Sequence, residues 1–89
     1  MYIVRILKPA IRELEKLDKK VGQRMVKRIE WLAGNLDKIN PIALKGDLTG
    51  LYKLREGDYR IVYQILRGEK VIIIHSIGHR REVYKYVNK

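Results

Sequence analysis

An α+β domain, with a helical hairpin packed on one face of a mainly antiparallel sheet, is the fold this sequence predicts. Three observations carry the prediction. A β-branched segment opens the chain, two apolar stripes at helical spacing follow, and three β-rich segments separated by glycine turns close it. The order β-α-α-β-β-β leaves an apolar stripe on the helices and an apolar face on the sheet, and each needs the other to be buried.

The first segment, Tyr2-Ile3-Val4-Arg5-Ile6-Leu7, reads as a strand from its β-branched content. Pro9 suits the first turn of a helix, where its missing N–H costs nothing. Ala10, Ile11, Leu14 and Leu17 form that helix's apolar stripe, which turns Arg12, Glu13, Glu15 and Lys16 outward. A turn near Asp18 to Gly22 leads into a longer helix with the stripe Val21, Met25, Ile29, Leu32 and Leu36. Gly34-Asn35 marks its fraying end, and Pro41 lies beyond it. Residues 37–50, punctuated by Pro41, Gly46 and Gly50, read as a connection. Strands are then expected over about 51–55, 59–66 and 70–77, joined through Glu56-Gly57-Asp58 and Arg67-Gly68-Glu69 in hairpins, a meander of three antiparallel strands. Val71 to Ile74 is apolar on both faces, which predicts a central strand. Glu82 to Val87 reads either as a short helix or as a tail. No repeat or internal boundary interrupts the pattern, so residues 1–89 form one expected domain.

Composition narrows the function. A hydrophobic content of 46% supports a globular chain. The absence of cysteine excludes a disulfide scaffold, a zinc ribbon and thiol catalysis. Val71-Ile72-Ile73-Ile74 is the longest apolar run, far short of the about 20 residues of a membrane span. The cytoplasm is the expected location, with no membrane partner. Twenty Lys and Arg against ten Asp and Glu give a net charge of +10. That exceeds the magnitude of about 2–8 that solubility asks of a small domain. It points to a polyanion or an acidic protein as partner. A thermophilic origin would suit the many charges and absent cysteine but not their one-sided sign.

Strand alternation places Lys53 and Arg55 on one face and Tyr52 and Leu54 on the other. Arg60, Val62 and Gln64 share a face of the next strand, and a short hairpin brings Arg55 close to Arg60. Their repulsion is tolerable only in water or against an anion. The last strand leads into His79, Arg80 and Arg81, whose position relative to Lys53 and Arg60 periodicity leaves open. Cationic side chains on edge strands also serve to block aggregation, which is the plainer reading of the same residues. Ser76 and Thr49 lie in no nucleophile-elbow pattern. His75 and His79 lack supporting carboxylates for a metal, and no phosphate-binding glycine motif is present. Cations beside a phenol, with no nucleophile and no metal ligands, suggest phosphate chemistry on RNA.

Leu44-Lys45-Gly46, Leu51-Tyr52-Lys53-Leu54-Arg55, Gly57-Asp58-Tyr59-Arg60-Ile61-Val62-Tyr63 and Ile77-Gly78-His79-Arg80-Arg81-Glu82-Val83-Tyr84 resemble the RelE/ParE toxin superfamily, and more narrowly its RelE branch. The resemblance implies a toxin of a type II toxin–antitoxin pair. It implies cleavage of mRNA in the ribosomal A site without metal or other cofactor, by attack of a 2′-hydroxyl on the adjacent phosphate. Carried over by position, Lys53 is the general base or its electrostatic equivalent, and Arg60 and Arg80 hold the scissile phosphate. Tyr84 stacks on or orients a base and assists proton transfer. Lys45, Arg55 and Arg81 bind RNA. Arg55 stands where the family commonly has lysine, and arginine cannot act as a base. His79 stands at a variable position, and histidine as a residue type is suited to proton transfer near neutral pH. Proton transfer is therefore open between Lys53, His79 and Tyr84.

The implied partners are the ribosome, mRNA and a cognate RelB-like antitoxin, acidic and largely helical. Two other readings compete: a ParE-like inhibitor of DNA gyrase, and a basic RNA-binding module whose catalysis has lapsed. For RNA contacts, log affinity is expected to fall against log salt with a slope of about −0.7 per phosphate neutralised. A salt titration that leaves the affinity unchanged would argue against the electrostatic reading.

Overall fold

The structure, a computed structural model, describes residues 1–87; the last two residues of the expected 1–89 domain lie outside them. The strands are β1 (Ile3–Ile6), β2 (Ile42–Ala43), β3 (Tyr52–Glu56), β4 (Tyr59–Leu66) and β5 (Val71–His79), and the helices are α1 (Lys8–Lys16), α2 (Lys19–Asn35) and α3 (Val83–Val87). The five strands form one sheet in the order β1-β5-β4-β3-β2. The meander β3-β4-β5 is antiparallel, as expected, and β1 lies parallel to β5 with Ile3 opposite Val71 and Ile6 opposite Ile74. The apolar strand β5 is thus an interior strand.

Local chemistry sets the element ends. Pro9 sits in the first turn of α1. The turn between the helices is shorter than the sequence suggested, because Asp18 caps α2 by accepting the Lys20 N–H at 3.1 Å. The segment 37–50 carries two 3-10 turns, Leu36–Lys38 and Gly46–Leu48, and the two-residue strand β2 between them. A strand that short has no readable alternation. Its register, Ile42 opposite Lys53, would put Pro41 opposite Leu54, and proline has no N–H to continue the ladder.

The helical stripe meets the sheet as the spacing demands. Met25, Ile29, Leu32 and Leu36 bury against Leu54, Ile61, Tyr63, Ile72, Ile74 and Ile77, with Ala10 of α1 beside them. A register shift between Val62 and Tyr63 pairs Val62 with Ser76 but Tyr63 with Ile74, so His75 is an extra residue in β5. Its Nε2 lies 3.0 Å from Gln64 Oε1, and burial holds its pKa below the usual histidine range.

Tyr63 is fully buried at the centre of the sheet, 5.7 Å from the Tyr52 ring centroid. Its hydroxyl has no hydrogen-bond partner among the described residues, and burial pushes its pKa up to about 12. An unpaired buried hydroxyl costs about 1–3 kcal/mol. Tyr63→Phe is therefore expected to leave the thermal midpoint unchanged or to raise it by a few degrees in a circular-dichroism melt. A clear fall would reveal a partner for the phenol.

Candidate functional site

The sheet face opposite the helical hairpin carries the cations. Arg55 on β3 stands directly opposite Arg60 on β4, and Lys53 stands opposite Val62, diagonal to Arg60. Diagonal neighbours lie about 7–8 Å apart, within reach of long side chains. The repulsion between the arginines has a local answer. Arg55 Nε donates to the Gly57 carbonyl at 3.3 Å, and Arg60 Nη1 donates to the same oxygen at 3.0 Å and to the Tyr59 carbonyl at 2.9 Å. One carbonyl dipole thus draws both guanidinium groups together, in the role an anion would otherwise fill. Gly57 suits that turn because its φ is +60°, in the left-handed region that residues with a Cβ seldom adopt.

The end of β5 adds to this face. Gly78 stands opposite Arg60, and the Cβ it lacks would point at Val83, 3.7 Å from its Cα. The chain therefore folds back, and α3 lies over Gly78 with Val83 buried and Tyr84 half-buried in its first turn. The Arg80 N–H donates to the Asp58 carbonyl at 2.8 Å, which ties the turn after β5 to the β3–β4 turn and leaves the Arg80 side chain exposed. Arg81 is also exposed, and its N–H donates to His79 Nδ1 at 3.2 Å.

The structure brings Lys53, Arg55 and Arg60 together and sets the Arg80 backbone at the same end of the sheet. His79 goes elsewhere. The extra residue His75 inverts the alternation of β5, so Ile77 and His79 face the helices while Ser76 and Gly78 face the cations. His79 stacks edge-on against Tyr59, 5.8 Å between centroids, and lines a cleft with Pro9, Arg12 and Leu17. Lys45 is exposed ahead of the Gly46–Leu48 turn, at the end of β3 away from Arg55. No group of three His, Cys, Asp or Glu side chains that could hold a metal ion is present among the described residues.

Two supporting residues escaped the sequence reading. β1 stops opposite Ile74, whereas β5 continues to His79. Where β1 is missing, Glu13 Oε1 accepts the Ile77 N–H at 3.0 Å, and the Ser76 hydroxyl lies 3.1 and 3.2 Å from the two carboxylate oxygens. Ser76 Oγ also lies 3.2 Å from the Val83 carbonyl. Glu13 is half-buried and not outward-facing as its neighbours suggested; the signal was its place three residues after Ala10 and four before Leu17, on the border of the apolar stripe. On the opposite edge no β2 residue faces Leu54 to Glu56. There Arg28 Nε donates to the Arg55 carbonyl at 3.3 Å, and Arg28 and Arg24 pair with Glu56 at 3.5 and 3.4 Å.

The site is thus a cationic sheet face on a basic α+β domain, bounded by a glycine-turned hairpin and by a short helix folded back over the last strand. The model of the family described as ParE toxin of the type II toxin–antitoxin system parDE matches residues 4–84. The chain is similar to a RelE toxin of Mycobacterium tuberculosis, 34% identical over 85 residues that cover 94% of this chain and 87% of that protein. Among solved structures, the toxin–antitoxin complex RelBE2 from Mycobacterium tuberculosis gives a TM-score of 0.80 at 28% identity, over 89% of this chain and 98% of that one. The archaeal RelE–RelB complex from Pyrococcus horikoshii gives 0.70 at 32% identity, over 92% and 98%. The chain belongs to the RelE/ParE family of type II toxins.

Glu13→Ala removes the acceptor of the strand-edge Ile77 N–H and one of the two acceptor groups within reach of the buried Ser76 hydroxyl. Loss of such partners costs about 1–3 kcal/mol, and each kcal/mol shifts the midpoint of a domain this size by about 4–8 °C. A fall on the order of 10 °C is expected, smaller for Glu13→Gln and slight for the exposed control Glu15→Ala. Equal melts for all three would show that the carboxylate contributes nothing.

Proposed function

We propose that this toxin is a ribosome-dependent endoribonuclease that cleaves mRNA in the ribosomal A site. The observation that carries the reading is the paired arginines Arg55 and Arg60 converging on one carbonyl oxygen, with Lys53 diagonal to them. Either guanidinium can swing from that carbonyl to a phosphate oxygen without movement of the strands. In the reaction the 2′-oxygen bonds to phosphorus as its proton departs, and the bond from phosphorus to the 5′-oxygen breaks. The products are a 2′,3′-cyclic phosphate and a 5′-hydroxyl.

Arg60 and Arg80 stabilise the extra negative charge on the phosphorane-like transition state, where guanidinium geometry suits paired oxygens. Lys53 receives the 2′-hydroxyl proton or neutralises the oxygen that loses it. Tyr84 orients a base and serves proton transfer at the leaving oxygen. His79, turned to the helix side, has no direct path to that phosphate. Lys45, Arg55 and Arg81 hold the RNA backbone. The ribosome supplies alignment of the strand, a contribution of several kcal/mol in oriented reactions, so little cleavage is expected without it. That target implies a cytoplasmic location; no helix among the described residues is long and apolar enough to cross a membrane.

Solved relatives described as RelB–RelE complexes support an antitoxin partner for this chain. Given the charge of +10, that partner is a RelB-like acidic chain covering the cationic face. Gyrase inhibition of the ParE kind is the second reading, favoured by the description of the matching family model.

Primer extension on an mRNA in a reconstituted translation reaction, with and without ribosomes, tests the proposal. Ribosome-dependent 3′ ends are expected, with cleavage reduced by about 10²–10³ in Arg60→Ala or Arg80→Ala. Absence of cleavage together with inhibition of gyrase supercoiling would transfer the assignment to the second reading.

A further inference from the structure

We infer that the cleft along the free edge of β3 seats one unstacked nucleobase of the RNA strand whose phosphate meets Lys53, Arg55 and Arg60. The inference rests on the RNA-cleaving reading and adds to it a base subsite on the other side of β3.

The cleft exists because β2 ends at Pro41. Beyond that point α2 and the segment 39–41 stand away from β3 and leave a space of about 220 Å³. It is lined by Arg28, Trp31, Asn40 and Ile42 and by β3 at Lys53 and Arg55, whose alternation turns their side chains to the opposite sheet face; no carboxylate lines it. The one acid nearby, Glu56, is held by Arg24 and Arg28. A partner for these walls is therefore an anion with a flat apolar part, which describes a nucleotide. Trp31 is 38% exposed, and the Arg28 guanidinium lies 4.2 Å from its ring centroid. Arg28 is itself fixed by the Arg55 carbonyl and Glu56, so the indole is presented on an anchored support. Base stacking on such a platform tolerates any base.

Discrimination can come from two polar groups. The exposed Asn40 amide offers a donor and an acceptor to a base edge. The Arg55 N–H points to the same side of β3 as the carbonyl that Arg28 takes, and no β2 residue pairs with it. Lys53 joins the two regions: it lines the cleft and shares the sheet face with Arg60. A strand held at the arginine pair therefore reaches the cleft across the free edge of β3 at Arg55, just beyond the Ile42–Lys53 pair.

Trp31 is the chain's only tryptophan, so its emission reports on the cleft alone. The test titrates the protein with a single-stranded 2′-O-methyl RNA hexamer, which lacks the attacking hydroxyl, following Trp31 emission and, in parallel, the anisotropy of the labelled hexamer. Quenching that tracks binding is expected, with affinity about tenfold weaker in Trp31→Leu, partly restored in Trp31→Phe and reduced in Asn40→Ala. Binding with unchanged emission and unchanged affinity in Trp31→Leu and Asn40→Ala would overturn the subsite and leave the RNA reading standing. Quenching by an acidic helical peptide but not by RNA would overturn it in favour of a protein contact. No binding of RNA at low salt would overturn both.

Discussion

β5 outruns β1, and much of the molecule is organised around that mismatch. A backbone N–H left unpaired at a buried strand edge costs as much as a lost hydrogen bond, so the Ile77 N–H needs an acceptor once β1 has turned away into α1. Glu13 supplies it from the helix that displaced the strand. The same carboxylate meets Ser76, the one polar residue buried in the described part of the chain, and Ser76 in turn reaches the Val83 carbonyl at the start of α3. Three elements distant in sequence are joined through one acid. The turn bearing Arg80 and the helix bearing Tyr84 are the segments this junction holds against the sheet.

The other sheet edge solves the same problem with the opposite charge. β2 is cut short by Pro41, and Arg28 covers the exposed carbonyl of Arg55 while also holding Glu56. Occupying the Ile77 N–H with an acid and the Arg55 carbonyl with a base shortens the open ladder at both edges, which helps protect a single domain from edge pairing. It also leaves a gap beside β3 that a complete strand would have filled.

Charge is the second organising constraint. A domain with an excess of ten positive charges cannot hold arginines in register without some compensation. The carbonyl of Gly57 provides a weak one, a dipole where a full negative charge would bind better. The site is thus assembled yet electrostatically unsatisfied, a condition suited to a phosphate or to the carboxylates of an acidic partner.

Alternation with a period of two was enough to put Lys53, Arg55 and Arg60 on one face, because hairpin turns as short as 56–58 fix register locally. Helical spacing likewise identified Met25, Ile29 and Leu32 as core, and the motif residues identified the family. These depend on neighbours within a few positions and are legible in the chain. The parallel pairing of β1 with β5 was not, since it joins segments some seventy residues apart. Neither was the bulge at His75, which inverts the alternation beyond it and sends His79 to the helix side while bringing Gly78, and α3 over it, onto the cationic face. Glu13 and Arg28 read as solvated charges for the same reason. Their partners are backbone groups exposed only where a distant strand ends, and tertiary structure alone decides where that is.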